Sequence, residues 1–177
     1  MTERALKDVA ASFHRRLLNR ARDTNRPFNE FLQYFAMERF LYRLSRSPHS
    51  SKFVLKGALM LSAWEAPFSR PTTDIDLLGH LDNSVDAVVA VLRDVCLQDV
   101  EPDGLVFDAT SCQGERIAEG ADYEGVRVRL RANLGNARIV MHVDVGFGDS
   151  VVPAALSLSY PTILDLPTLL WFRGPWP

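Results

Sequence analysis

The chain has 177 residues, of which 47% are hydrophobic and 24% are charged, and its formal net charge is -2. This length suits one ordinary domain with its own core, and the composition is typical of a soluble globular protein. The small net charge excludes attraction to nucleic acids or anionic membranes through overall charge, so such a ligand would need a local basic patch. The charged N-terminus lacks the apolar stretch of a signal peptide, and no apolar run reaches the length of a membrane span. We therefore expect a cytoplasmic protein without membrane contact.

Residues 1–50 are predicted to form an N-terminal helical segment that contains two amphipathic helices. Apolar residues recur at helical spacing over 3–24 and again over about 30–46. Asn29 is the expected N-cap of the second helix, because its side-chain oxygen can accept a hydrogen bond from a free N–H group of the first turn. The broad stripe of phenylalanine and leucine on the second helix predicts that it packs in a core.

The polar face of the first helix is strongly basic. It includes Arg15, Arg16 and Arg20, which are candidates for binding the phosphates of RNA. The alternative is a solvated face on which the long side chains cover apolar surface while their charges remain in water. The sequence leaves both interpretations open.

The most informative stretch reads as an apolar strand, a glycine, a short helix, a polar turn and a second strand. Successive side chains of a strand alternate between its faces, so Asp74 and Asp76 are expected on the same side. Two neighbouring carboxylates suit a hard cation such as Mg2+, which prefers oxygen ligands. Gly57 lets the backbone approach closely, and the helix after it would direct free N–H groups toward an anion. The predicted bounds are 52–56 and 74–80 for the strands and 58 to about 64 for the helix.

Downstream of this stretch, the pattern predicts one helix and then four strands. The helix is expected over about 84–98 with Asp82 and Asn83 as capping residues, and the strands over about 104–108, 112–118, 124–132 and 138–146. In the third of these strands, apolar residues alternate with Arg127, Arg129 and Arg131. The row of arginines could hold a triphosphate or an RNA backbone, although exposed strands also carry charge to stay soluble and deter edge pairing.

Three segments together resemble the nucleotidyltransferase superfamily, in which a small-residue helix start is followed by a strand with two aspartates. They are Leu55-Lys-Gly-Ala-Leu, Arg70-Pro-Thr-Thr-Asp-Ile-Asp-Leu and Val143-Asp-Val-Gly-Phe-Gly-Asp. The segments Leu55-Lys-Gly-Ala-Leu and Arg70-Pro-Thr-Thr-Asp-Ile-Asp-Leu, taken together, resemble more narrowly the AbiEii/AbiGii (MenT-like) nucleotidyltransferase toxins of bacterial toxin–antitoxin systems. The resemblance implies an α/β nucleotidyltransferase (DNA polymerase β-like) fold with a mixed, twisted sheet flanked by helices.

The resemblance also implies a function and a set of site residues. A third carboxylate, Asp144, would join Asp74 and Asp76 as catalytic and Mg2+-binding residues. The enzyme would transfer a nucleoside monophosphate from an NTP to an acceptor, for which tRNA is the best precedent, and a cognate antitoxin would neutralise it. Around this centre, the residues expected to bind the nucleotide are Lys56, Gly57, Ala58, Arg70 and Thr73.

The chain departs from the family pattern in two places. It has Gly57-Ala58 where paired glycines or glycine and serine are usual, so a phosphate-contacting serine hydroxyl is absent. Family members also continue past the region that resembles residues 160–167 into a C-terminal helical portion. We therefore expect residues 51–177 to be a nucleotidyltransferase core that lacks this helical portion. Two alternative functions remain: an inactive truncated remnant that binds nucleotide, RNA or antitoxin, and a small-molecule nucleotidyltransferase.

Overall fold

The computed structural model describes residues 3–57, 59, 72–119, 123–148, 156–157, 160–167 and 173–174. Three α-helices fall within these ranges, α1 (Glu3–Asp23), α2 (Phe28–Arg46) and α3 (Val85–Cys96), and a 3-10 helix spans Ser50–Lys52. The strands are β1 (Phe53–Lys56), β2 (Asp74–Gly79), β3 (Leu105–Glu119), β4 (Tyr123–Leu134), β5 (Ala137–Gly146), β6 (Leu156–Ser157) and β7 (Arg173–Gly174). Most of the helix predicted over 58–64 lies outside the described residues.

The first five strands form one mixed sheet in the order β1-β2-β5-β4-β3. Strands β2 and β5 run parallel, whereas the other neighbouring pairs are antiparallel. Strands β6 and β7 form a separate two-stranded sheet. The mixed sheet together with the three helices confirms the α/β class predicted from the sequence.

The alternation of residues along the strands divides the sheet into an apolar face and a polar face. Val126, Val128 and Leu130 of β4 are completely buried, while Arg129 and Arg131 are exposed, as the alternation predicts. Helices α1, α2 and α3 contribute to the same apolar core as the inward residues of the strands. The opposite face therefore carries the polar residues of β2, β4 and β5.

The helices bury the faces that the hydrophobic periodicity predicts. On α1, Phe13 and Leu17 are buried, and the Phe13 ring stacks on Phe35 of α2 with 5.7 Å between centroids. Helix α3 approaches β3 so closely that a Cβ on Gly114 would lie 2.6 Å from Cγ2 of Val89. A glycine is thus required where the helix crosses the sheet.

The predicted N-caps of α2 and α3 are wrong. Pro27 precedes α2 without a side-chain cap, so Asn29 lies inside the first turn; proline has the φ that suits a helix start. Helix α3 is capped by Ser84, whose hydroxyl accepts from the Ala87 N–H at 3.3 Å. Asp82 instead accepts from the Ser84 N–H at 2.8 Å and supports the capping residue from outside the helix.

The two strands predicted over 104–108 and 112–118 form a single strand, β3, with a register shift between Asp108 and Gln113. The Asp108 carboxylate accepts hydrogen bonds from the N–H and the hydroxyl of Thr110. The Ser111 hydroxyl donates to the Asp108 carbonyl at 2.6 Å. These local bonds satisfy the backbone where strand pairing is interrupted, which explains why the sequence there has the character of a turn.

A buried ionic cluster joins α2 to the segment before β3. Asp103 is 1% exposed; its carboxylate accepts from Arg39 at 3.0 Å and from Arg43 at 2.7 and 3.0 Å. The neighbouring Glu38 accepts from the Ile163 N–H at 2.8 Å. The cluster therefore connects three segments that are distant in the sequence.

Glu38 is expected to make the stability of the fold depend on pH. Burial raises its pKa from 4.5 to about 7, although the Ile163 N–H and Arg39 act in the opposite direction. Because the folded pKa lies above the unfolded one, the native state retains a proton that the unfolded state has lost. The free energy of unfolding should therefore fall by about 3 kcal/mol as the pH rises from 4.5 to 7.

The measurement is denaturant unfolding across that pH range for the wild type and for Glu38→Gln, which keeps the shape of the neutral form. The variant should become the more stable of the two as the pH increases. Parallel pH profiles would contradict the assignment.

Candidate active site

The polar face brings two of the predicted carboxylates together through the register of the parallel strands. Asp76 of β2 lies directly opposite Asp144 of β5, so their Cα atoms are neighbours across strands that lie about 5 Å apart. Asp74, two residues earlier on β2, points to the same face and lies opposite His142. Asp144 therefore lies on the strand next to β2 and on the same face as Asp74 and Asp76.

Asp144 is held by an arginine from the next strand. Arg127 of β4 lies opposite it and donates from Nε at 2.8 Å and from Nη2 at 2.6 Å, one bond to each carboxylate oxygen. The Asp144 side chain is only 6% exposed, and its hydrogen bond is the main cause that raises the pKa of Arg127. A forked, two-bond pair of this kind fixes the carboxylate firmly. A cation would have to displace Arg127 to reach both oxygens of Asp144.

The contacts of Asp74 are longer than those of Asp144. Its Oδ1 accepts from the Thr73 hydroxyl at 3.1 Å and lies 3.2 Å from Nδ1 of His142. His142 is not among the site residues predicted from the sequence. His142 nevertheless lies on the same face as the carboxylates, and its position two residues before Asp144 on one strand was the signal that could have revealed it.

Asp76 lies directly over Gly57. The glycine has a φ of +68°, and a Cβ at this position would collide with Oδ2 of Asp76 and lie 2.7 Å from its Cγ. Glycine is therefore required for two reasons: its backbone conformation and the space that the carboxylate occupies. The close approach predicted for Gly57 is made to Asp76.

The Gly57→Ala substitution is expected to lower the free energy of unfolding by more than the strain of its positive φ alone would. The matched control is Gly135→Ala, since Gly135 has a similar φ of +58° but a Cβ there would meet only Ala10 at 3.8 Å. We expect a loss of about 1 kcal/mol for the control and at least about 2 kcal/mol more for Gly57→Ala, because Asp76 must also move. Denaturant unfolding measures both, and equal losses would mean that Asp76 does not confine Gly57.

The residues predicted to bind the nucleotide are only partly within the described chain. Lys56 of β1 lies opposite Asp76 and is half-buried, so it belongs to the same row across the sheet. Thr73 is exposed at the start of β2. Ala58 and Arg70 lie outside the described residues, and their roles remain predictions.

The six arginines predicted to bind RNA fall into two groups. On β4, Arg129 is exposed opposite His142, while Arg131 pairs with Asp108 at 3.0 Å and Arg127 with Asp144. The other group lies on α1, in the helical layer: Arg16 covers the Phe13 ring at 5.2 Å, and Arg15 and Arg20 are exposed. Only the β4 arginines share a face with the carboxylates.

The donor atoms of the polar face fit Mg2+ in type, because carboxylate oxygens are its preferred protein ligands. Within residues 3–57, 72–119 and 123–148, however, no three His, Cys, Asp or Glu side chains lie close enough together to hold a metal ion. Arg127 already bonds to both oxygens of Asp144. None of the helices in the described part of the chain is long and apolar enough to cross a membrane.

Comparisons with known proteins identify a family that this chain matches. The model for AbiEii, described as the nucleotidyl transferase AbiEii toxin of a type IV toxin–antitoxin system, matches residues 39–174. A solved structure of a candidate nucleotidyltransferase from H. pylori is 13% identical with a TM-score of 0.39, covering 68% of this chain and 45% of that one. JHP933 from Helicobacter pylori is 12% identical with a TM-score of 0.39, covering 72% of this chain and 47% of that one. This chain thus spans about half the length of these solved structures, and no curated protein matches it.

Proposed function

This chain belongs to the AbiEii family of nucleotidyl transferase toxins, and we propose that it transfers a nucleoside monophosphate from an NTP to tRNA in the presence of Mg2+. The observation that carries the proposal is the register that sets Asp76 beside Asp144 on a face that also presents Asp74. Three carboxylates that alternate with buried residues on two adjacent strands have no role in the apolar core. Their placement on the opposite face supports a role in binding a ligand.

The three aspartates are proposed to hold Mg2+ and to orient the reacting groups. When bound, Mg2+ would activate the attacking hydroxyl and neutralise charge on the α-phosphate as pyrophosphate leaves. Asp76 is fixed by its packing over Gly57, and Asp74 by Thr73 and His142. Before the substrate binds, Arg127 acts as the counter-ion of Asp144.

The triphosphate is proposed to lie beside the β1–β2 edge of the site. Lys56 stands in the same row as Asp76, and Thr73 offers a hydroxyl at the start of β2. Arg70 would add a planar guanidinium that matches phosphate geometry, and the backbone at Gly57 and Ala58 would contribute N–H groups. Gly57 is exposed, so the backbone there is accessible to a ligand.

The tRNA acceptor is proposed to approach across β4. Arg129 is exposed on the face of the carboxylates, next to His142, so a phosphate near it would also be near the reacting centre. The α1 arginines lie on the helical layer and are less suited to an acceptor at this face. The family further implies neutralisation by a cognate antitoxin and a cytoplasmic place of action, and we include both in the proposal.

The test is incubation with each radiolabelled NTP, Mg2+ and total tRNA, comparing the wild type with Asp74→Ala/Asp76→Ala. Label in the RNA with the wild type alone supports the enzyme. To separate tRNA from a small acceptor, Arg129→Glu is compared with Arg22→Glu, a charge reversal on the exposed surface of α1. Loss of transfer to tRNA in Arg129→Glu with unchanged NTP binding supports an RNA acceptor at β4.

A second candidate is a protein that binds nucleotide, RNA or antitoxin without turnover. The bidentate pair between Arg127 and Asp144 favours it, because this pair occupies the third carboxylate. In that case NTP binding would persist while the wild type and the aspartate variant give the same background label. Equal label together with measurable NTP binding would make this candidate the better account.

A further inference from the structure

A second surface, at the end of the sheet where α1 meets the turn between β4 and β5, combines apolar and basic residues that the proposed reaction does not use. A groove of about 940 Å³ runs between α1, the segment before β3 and the turn between β4 and β5. Its floor is apolar and includes Ala10, Leu18 and Leu134, and its rim carries Lys7 and Arg15. None of the described residues that line it is acidic. We call this surface the basic groove.

An acidic and apolar segment adjoins the basic groove. Residues 97–101, between α3 and β3, expose Leu97 at 72% together with the carboxylates of Asp99 and Glu101. These residues line a second groove, of about 620 Å³, and both grooves share Gly104 and Val106. We call residues 97–101 the acidic ridge.

The boundary between the two surfaces is itself apolar and exposed. Val106 is 56% exposed, and with Leu97 it makes up two of the three large hydrophobic side chains that are exposed within the described chain. Apolar residues that cluster on a surface and are rimmed by charge are typical of a contact with another macromolecule.

The arrangement of charge selects the kind of partner. The phosphates of an RNA backbone would be attracted by Arg15 but repelled by Asp99 and Glu101 of the adjoining ridge. They would also make no favourable contact with the apolar floor of the groove. A second copy of the chain satisfies both halves at once. If two copies are related by a two-fold axis near Val106, the ridge of each copy meets the groove of the other.

We propose that the basic groove and the acidic ridge form a two-fold symmetric contact between two copies of this chain, with Leu97 of each copy in the apolar floor of the other and Asp99 facing Arg15. The proposal goes beyond the nucleotidyltransferase function and does not depend on it. The groove reaches the start of β5 at Ala137, and Asp144 lies about 23 Å further along that strand. Dimer formation would cover the far end of the polar face, where Val106 lies opposite Asn133, and would leave Asp144 open.

The test is sedimentation velocity of the full chain over a range of concentrations. We expect a dimer with a Kd in the micromolar range that weakens as salt is added, because charge pairs at the rim are screened. Arg15→Glu and Asp99→Arg should each raise the Kd at least about tenfold, since each creates like-charge pairs in both halves of the contact. Arg22→Glu is the matched control, because Arg22 is exposed but does not line the groove.

The decisive sample is a mixture of Arg15→Glu and Asp99→Arg. In a two-fold contact, a mixed dimer of these variants pairs opposite charges in both halves. The mixture should therefore dimerise with a Kd close to that of the wild type, whereas each variant alone dimerises at least about tenfold more weakly. Leu97→Asp is a second disruptive variant that tests the apolar half independently of Arg15. A monomeric wild type at about 200 µM, a dimer indifferent to these changes, or a mixture that stays monomeric would each overturn the proposal. Loss of RNA binding in Arg15→Glu without any dimer in the wild type would assign the groove to RNA instead.

Discussion

Replacing Asp144 by asparagine is expected to reduce nucleotide transfer by about 1000-fold, the size of loss seen when a preorganised charged group is removed from a reacting centre. Asparagine keeps the size of the side chain but removes the charge that would hold Mg2+. The loss should appear in the rate at saturating NTP, because the carboxylate acts on the reacting groups. The assay is the transfer of radiolabel to tRNA at several Mg2+ concentrations.

Two further variants separate a role in metal binding from a role in holding Arg127. Arg127→Met removes the partner but keeps the carboxylate, so we expect a loss of at most about tenfold. Asp86→Asn removes an exposed carboxylate of α3 and should leave the rate near that of the wild type. Equal losses for Asp144→Asn and Arg127→Met would mean that the ion pair itself, and not a metal, explains the importance of Asp144.

Asp103→Asn is expected to lower the free energy of unfolding by about 3 to 5 kcal/mol, because it leaves the buried guanidinium groups of Arg39 and Arg43 without their counter-charge. Burial alone would raise the pKa of Asp103, but hydrogen bonds and charge from the two arginines outweigh it, and the pKa is lowered. The stabilisation is therefore present above the unfolded pKa of about 3.9 and is lost as the pH falls through the folded value.

The control for Asp103→Asn is Asp99→Asn, in which an exposed carboxylate is removed four residues earlier. It should change stability by no more than about 0.5 kcal/mol in dilute solution. Both are measured by denaturant unfolding at neutral pH. A loss below about 1 kcal/mol for Asp103→Asn would show that the cluster contributes little to the fold.

The sequence was sufficient to predict features that depend on the period of a strand or helix. The two-residue period places Asp74 and Asp76 on one side, and it separates Val126 and Val128 from Arg127. These predictions need only the local geometry of one strand. The place of Asp144 beside Asp76 was instead implied by the family resemblance.

Features that depend on pairing between distant segments could not be predicted. The register that sets Asp76 beside Asp144 and Arg127 beside Asp144 is a property of three strands, and no single segment encodes it. The prediction of two separate strands, over 104–108 and 112–118, was wrong. Strand β4 continues past residues 109–111 and pairs with β3 on both sides of the interruption. The predicted N-cap of α3 was wrong because three adjacent residues can cap a helix, and it is Ser84 that accepts the hydrogen bond from the Ala87 N–H.

We propose that Asp76 and Asp144 together hold a divalent cation. The most direct measurement is a crystal structure with Mn2+ and a non-hydrolysable NTP analogue, in which anomalous scattering locates the metal. The account predicts a peak bonded to Asp76 and Asp144, with the guanidinium of Arg127 moved away from the carboxylate. A nucleotide bound without metal at these aspartates, with Arg127 still paired to Asp144, would contradict it.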